Sequence, residues 1–185
     1  MANRWKHFKT VMRHKRYVFR ECRRCGIGWQ GFIHDLSKFS LVEFNSSAQY
    51  FQGTRSPIKA EKIEKGYSYA WQHHMGHNPH HWQYWLDYAS DGHIITVKMP
   101  YKYVVEMVCD WIGAGKAYNR KGTWSTKAPL DHYRKQYRER HLHPETDDLL
   151  KFFCLTIRYL GLEKFYKYAR SKELKYRYEN GEGTP

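Results

Sequence analysis

A chain of 185 residues with 41% hydrophobic and 17% aromatic residues can build one domain around one core. No stretch approaches the roughly 20 apolar residues of a membrane span, which excludes a helical membrane protein, and the N-terminus lacks a secretory apolar segment, so a reduced, cytoplasmic protein with no membrane partner is expected. The formal charge of +14 favours anionic partners such as nucleotides, phosphorylated metabolites, nucleic acid or an acidic membrane surface, while leaving fold and oligomeric state open.

Residues 4–25 read as a helix. At about 100° per residue, His7, Val11, His14, Val18, Cys22 and Cys25 share one face, and Arg13, Arg16, Arg20 and Arg24 point elsewhere. Gly26 and Gly28 end this helix. A second, short helix at about 29–37 carries the pair His34-Asp35. Ser40-Leu41-Val42-Glu43 has the form of a capping box and opens a helix to about Phe51. After a loop at 53–57, Pro57 begins a long helix reaching His74, bent at Gly66. Asn78-Pro79 reads as a cap followed by proline, so that His80, His81, Trp82 and Trp85 open another helix.

Asp91-Gly92 marks a turn, and residues 94–97 are the one strand-like segment. Pro100 begins the cleanest helix, to about Tyr118. It is apolar nearly all round and therefore central. Glu106 and Asp110 are its acidic exceptions, four residues apart on one face. A basic, glycine-bearing loop over 119–127 leads to helices at about 129–140, 145–160 and 161–177, and 179–185 reads as a frayed tail. The expected fold is a single all-α domain of about seven helices, with a core in residues 4–118 and basic, aromatic helices in 128–178.

The chemistry concentrates in histidine and aspartate. His14, His34, Asp35 and Asp110 each occupy a helical, apolar setting where an unpartnered polar group is costly. Neutral imidazole and carboxylate together suit zinc, iron, manganese, nickel or cobalt, and one ion would satisfy all four groups. His7, two turns before His14 on the same face, is the alternative first ligand. A second dense set follows at His73, His74, His77, His80 and His81.

The ordered set His14, then Gly31-Phe32-Ile33-His34-Asp35-Leu36-Ser37-Lys38-Phe39, then Asp110, resembles the H…HD…D signature of the HD-domain superfamily, α-helical metalloproteins that are mostly phosphohydrolases. Lys38 matches the lysine of the common His-Asp-x-Gly-Lys form, with Ser37 in place of glycine. The likeness covers residues 7–118. The wider run from Gly66-Tyr67-Ser68 to Gly115-Lys116 also resembles a family of uncharacterised bacterial and phage proteins.

The HD resemblance implies an HD-like helical bundle. It implies one divalent ion on His14, His34, Asp35 and Asp110, and a metal-bound water that attacks phosphorus, oriented by Asp35. Lys38 would steady Asp35 or meet a phosphate oxygen. A second ion would draw on His73 or His74 and on His80 or His81. Adjacent helical residues diverge by about 100°, so one of each pair would face the site. The other, like His77 and His81, would meet substrate or solvent.

Glu106 is a further candidate as general base or as a partner of a ligand. Glu43 is already explained by its cap. Lys116 and Tyr118, beyond Asp110, are candidates for substrate contact. Cys22-Arg23-Arg24-Cys25 has neither a second pair for zinc nor a thioredoxin context, and reads as core packing. Basic and aromatic residues interleave at 134–141 and 164–177, a pattern that suits nucleic acid but also an amphipathic helix with aromatics inward.

The function this implies is a metal-dependent phosphohydrolase acting on a nucleotide or other small phosphorylated metabolite. Two alternatives stand beside it. One is a di-iron HD-type oxygenase. The other is a non-catalytic nucleic-acid-binding protein with structural histidines.

Overall fold

The computed structural model describes residues 2–53, 56–119, 124–136 and 141–183. Among these the chain forms nine α-helices, two 3-10 turns and one small hairpin, folded as one compact domain. The helices are α1 Ala2–Arg24, α2 Gly28–Ile33, α3 Leu41–Gln49, α4 Pro57–Lys65, α5 Tyr69–His77, α6 Tyr101–Tyr118, α7 Ala128–Gln136, α8 Pro144–Ala169 and α9 Lys172–Glu179. Strands β1 (Leu86–Tyr88) and β2 (Ile94–Thr96) pair antiparallel with Asp87 opposite Ile95, closed over Gly92 at φ 87°.

α6 is central, as its all-round apolar sequence requires. Val104, Val105, Met107, Val108, Cys109 and Ile112 are all buried, and α1, α7, α8 and α9 pack around the helix. Two glycines set how closely the elements of the site approach. A Cβ at Gly113 would lie 2.5 Å from Val18 Cγ2 and 3.0 Å from the Val18 amide nitrogen, so α6 rests directly on the backbone of α1. A Cβ at Gly31 would lie 2.4 Å from Cys22 Cβ, so α2 does the same one turn further along α1. Cys22 and Cys25 are buried core thiols, Cys25 Sγ lying 3.6 Å from Cys109 Sγ.

Several expected elements break where local chemistry overrides periodicity, and the helix count rises from seven accordingly. The helix expected at 29–37 ends at Ile33. Asp35 adopts the left-handed region (φ 56°, ψ 27°), and a 3-10 turn, Leu36–Phe39, follows. Aspartate tolerates this region better than most L-residues. The long helix from Pro57 splits at Gly66, whose φ of 80° gives a left-handed cap on α4, and Ser68 then caps α5 by accepting from the Trp71 amide.

The helix expected from His80 does not form. Asn78 uses its side-chain amide to close α5 instead, donating to the His74 carbonyl and to Ser37 Oγ at 2.7 Å each. The chain beyond makes a turn, the His81 amide donating to the Asn78 carbonyl (3.0 Å), and passes into a 3-10 turn, Trp82–Trp85, and then β1. The helix expected at 145–160 ends where expected, since Gly161 (φ 82°, ψ 175°) breaks the helical backbone within α8, whereas the one expected at 161–177 is divided, α8 resuming to Ala169 and α9 starting at Lys172.

In the C-terminal helices Phe165 and Tyr166 are buried while Lys164 and Lys167 face solvent, an aromatic core face with a cationic outer one. Tyr137, Arg138 and Arg140 of the basic stretch lie outside the described residues. So do residues 120–123 of the basic loop and the last two residues of the tail. No helix among the described residues is long and apolar enough to cross a membrane.

Candidate metal centre

Five parts of the chain bring donors to one point. α1 supplies His14 from its inward face, and the left-handed turn after α2 supplies His34 and Asp35. α5 supplies His74, the turn after it His80 and His81, and α6 supplies Asp110. Lys15 ties the first two parts together. Its ammonium donates to the carbonyls of Phe32 (2.6 Å) and His34 (2.7 Å), which the end of α2 leaves without helical partners.

The donors fall into two sets that share Asp35. In the first, His14 Nε2 lies 3.1 Å from Asp110 Oδ1 and 3.2 Å from Asp35 Oδ2, and His34 Nε2 lies 3.5 Å from the former and 3.1 Å from the latter. In the second, Asp35 Oδ1 lies 3.4 Å from His74 Nε2 and 3.5 Å from His80 Nε2, and His81 completes the group. Ligand atoms held about 2.0–2.2 Å from one ion sit roughly 3.0–3.5 Å from each other. Each Asp35 oxygen therefore belongs to a different set. The three described donor groups of this kind lie within this one cluster, the third being His34, His80 and Glu106.

Four buried polar atoms at the centre of the cluster have no hydrogen-bond partner: His34 Nε2, His80 Nε2, His81 Nε2 and Asp35 Oδ1. Each such group costs about 1–3 kcal/mol when left unsatisfied. A cation on each side of Asp35 satisfies all four, so the residues fit a metal.

Carboxylates behind the imidazoles fix their tautomers. Glu106 Oε1 accepts from His34 Nδ1 (2.8 Å) and is 3.2 Å from His80 Nδ1, and its other oxygen accepts from Gln30. Glu43 accepts from His74 Nδ1 (2.8 Å) with one oxygen and from His73 Nδ1 (2.7 Å) with the other. A carboxylate only accepts, so His34 and His74 donate from Nδ1 and turn a lone pair at Nε2 toward the centre.

The electrostatics agree with a cation site. Burial opposes ionisation of Asp35, but His34, Lys38 and His74 hold its carboxyl well below the usual range. The adjacent His14 and His34 do the same for Asp110 against the same burial penalty. Glu106 is brought down to about 2, its burial outweighed by hydrogen bonds from His34 and His80. Burial would lower His34, yet the charge of Asp35 and the neighbouring carboxylate hydrogen bonds raise it well above 6.5: without an ion, the centre draws in a proton. Burial, then the charge of His34 on His80 and that of His80 on His81, lower the remaining two imidazoles and keep them neutral donors.

Not every residue singled out in the sequence reaches this point. His7 packs between Phe44 and Phe51 (ring centroids 5.3 and 5.4 Å), so His14 is the α1 donor. His73 is not a ligand: it backs Glu43 and stacks on His77. His77, expected at substrate, is exposed and binds the His73 carbonyl. His80 and His81 both face Asp35, because they lie in a turn rather than on a helix and the helical divergence between neighbours does not apply. His81 is thus a donor rather than a substrate contact.

Lys116 is spent on Glu21 (2.7 Å) beside Trp124, in a cavity lined also by Tyr17, Arg20, Arg24 and Asn119, apart from the cluster. Glu106 faces ligands and holds them in place, which is a different task from that of a general base. Lys38 does reach the site, paired with Asp35, and stays protonated because Asp35 and Asp110 outweigh its burial. Tyr118 feels the charges of Lys38, Asp110 and Asp35, and burial pushes its hydroxyl up. The side chains of Lys38 and Asp110 are the more accessible part of the cluster, at 27% and 15%, against 3% or less for His34, Asp35, His74 and His80.

The model of the family of unknown function DUF5662 matches residues 3–156. The chain belongs to this family. The DUF5662 match contains all seven donors, from His14 to Asp110, and ends within α8. No curated protein and no solved structure matches the chain.

Proposed function

We propose that this DUF5662 protein is a metal-dependent phosphohydrolase of the HD type, with two divalent ions sharing Asp35, acting on a nucleotide or other small phosphorylated metabolite. The observation that carries the reading is the pair of donor sets on the two oxygens of one buried aspartate, with four of their polar atoms otherwise unpartnered. His14, His34 and Asp110 hold the first position, and His74, His80 and His81 the second.

Ions in this setting supply Lewis acidity and lower the pKa of water enough for attack at neutral pH. Glu43 and Glu106 keep the imidazoles oriented. Lys38, charged and on the accessible side, meets a phosphate oxygen. The net charge of +14 draws an anion toward that side.

Elemental analysis of protein purified without chelator or nickel resin tests the metal, and phosphate release from a panel of nucleotides and sugar phosphates tests the reaction. Close to two equivalents of manganese, zinc, nickel or cobalt, and phosphate release lost in His34→Ala/Asp35→Ala, are expected. No bound metal after add-back of each ion overturns the reading. The mixed histidine and carboxylate donors equally suit two irons. Two equivalents of iron, with no phosphate release, select a dioxygen-activating enzyme instead.

A further inference from the structure

Residues 1–42 hold ten lysines and arginines and only two acids, Glu21 and Asp35. Both acids are buried, at 1% and 2% exposure. The outer surface of this quarter of the molecule therefore carries positive charge alone. It also carries apolar side chains in unusual number. Around α1, Trp5, Phe8, Lys9, Met12, Arg16, Phe19 and Arg23 recur at helical spacing on the face opposite His14, about 27 Å from end to end.

This band continues onto neighbouring elements. Trp5 stacks on Phe8 (5.6 Å), and Phe8 meets Phe39 of the 3-10 turn (6.2 Å). Phe19 meets Phe32 of α2 (6.5 Å), which stacks on Trp29 (5.6 Å). Ile33, Leu36, Leu41 and Val42 extend it, all exposed, with Leu41 at 81% and Trp29 at 74%. Contiguous exposed apolar surface rimmed by charge marks an interaction site.

We propose that this face seats the protein on an anionic phospholipid surface, with Trp5, Trp29, Phe32, Leu36 and Leu41 entering the headgroup boundary and the α1 cations meeting lipid phosphates. Surface helices of this composition, aromatic and aliphatic residues among Lys and Arg, bind in the plane of the interface without spanning it. Nucleic acid fits less well, since Met12, Ile33, Leu36, Leu41 and Val42 offer no ring for a base to stack on. A second copy fits less well too, since a two-fold contact would set this cationic face against itself. The inference stands independently of the metal centre.

Vesicle sedimentation of the full chain tests it, with phosphatidylcholine alone and with phosphatidylcholine plus phosphatidylglycerol, at low and high salt. Sedimentation with the anionic vesicles only, a blue shift of tryptophan emission, and at least about a tenfold loss of partition in Trp29→Ser/Leu41→Ser are expected. Trp5→Ser/Met12→Ser, at the other end of the band, is expected to show the same loss, and both pairs lie at exposed positions where melting temperature should hold. Absence of binding to anionic vesicles at low salt overturns the proposal. So does partition of both double variants equal to that of the parent chain. A dimer dissolved by these substitutions would assign the face to a second copy, and duplex DNA binding lost in them, with vesicles unbound, would assign it to nucleic acid.

Discussion

Glu43 Oε2 accepts a hydrogen bond from His74 Nδ1 at 2.8 Å, and on the far side of the same ring Nε2 lies 3.4 Å from Asp35 Oδ1. The carboxylate thereby fixes which nitrogen faces the centre. Glu43→Ala should lower metal affinity roughly 10- to 100-fold while the Ser40 cap on α3, which uses the Glu43 backbone amide, persists. Competition with a fluorescent chelator measures the first and circular dichroism the second. Unchanged affinity would reduce Glu43 to a surface of the fold.

Stoichiometry separates the two donor sets. Asp110→Asn should remove about one equivalent of metal and His81→Ala the other, whereas Asp35→Asn should remove both. Elemental analysis of the three variants checks this. Retention of both ions by Asp35→Asn would show that its oxygens are not shared.

Gly113 carries the contact between α1 and α6 on which the geometry of His14 and Asp110 rests. Gly113→Ala puts a methyl group against the Val18 backbone, and overpacking of this kind costs about 1–3 kcal/mol. A lower melting temperature is expected, together with loss of the ion held by His14 and Asp110. Gly76→Ala, whose added methyl meets nothing, serves as the neutral control.

His7 provides a pH signature away from the metal ligands. Burial, with Lys38 nearby, lowers its pKa from 6.5 to about 4. The unfolded chain takes up a proton as pH falls through 6.5, and the folded chain resists until about 4. Stability attributable to His7 is therefore intact above 6.5 and lost between 6.5 and 4, on the order of 3 kcal/mol in all. His7→Phe, which suits the pocket of Phe44 and Phe51, should melt increasingly above the parent as pH drops through this window. A pH-independent difference between the two proteins would contradict this.

Periodicity located α1 and α6 well, because both are long and their buried faces repeat at helical spacing. It also placed His14 and Asp110 on their helices, while His34 and Asp35 joined them through the resemblance to the HD signature, and the structure brings all four together. It failed between residues 34 and 86, where single side chains decide the backbone. Asp35 turns left-handed, Gly66 breaks one helix into two, and Asn78 closes α5 rather than opening another. The turn at His80 and His81 follows from that last choice, and so does the convergence of both rings. Glu43, weighed beside Glu106 as general base or partner of a ligand, reads in the sequence as a cap because its place in a capping box is reason enough for its presence. Lys15, one residue after His14, gave no signal, since a lysine between two arginine-rich turns of a helix reads as solvated.

The donors at positions 14, 34–35, 74, 80–81 and 110 are far apart along the chain. Ions held among them would act as cross-links, closing loops between α1, the turn after α2, α5 and α6 before the rest of the chain is counted. Closing loops of such length removes several kcal/mol of freedom from the unfolded chain in the entropic model of cross-links. Loading the centre would staple the first 110 residues into one cooperative unit, so that resistance to proteolysis, as much as turnover, would report whether the ions are in place.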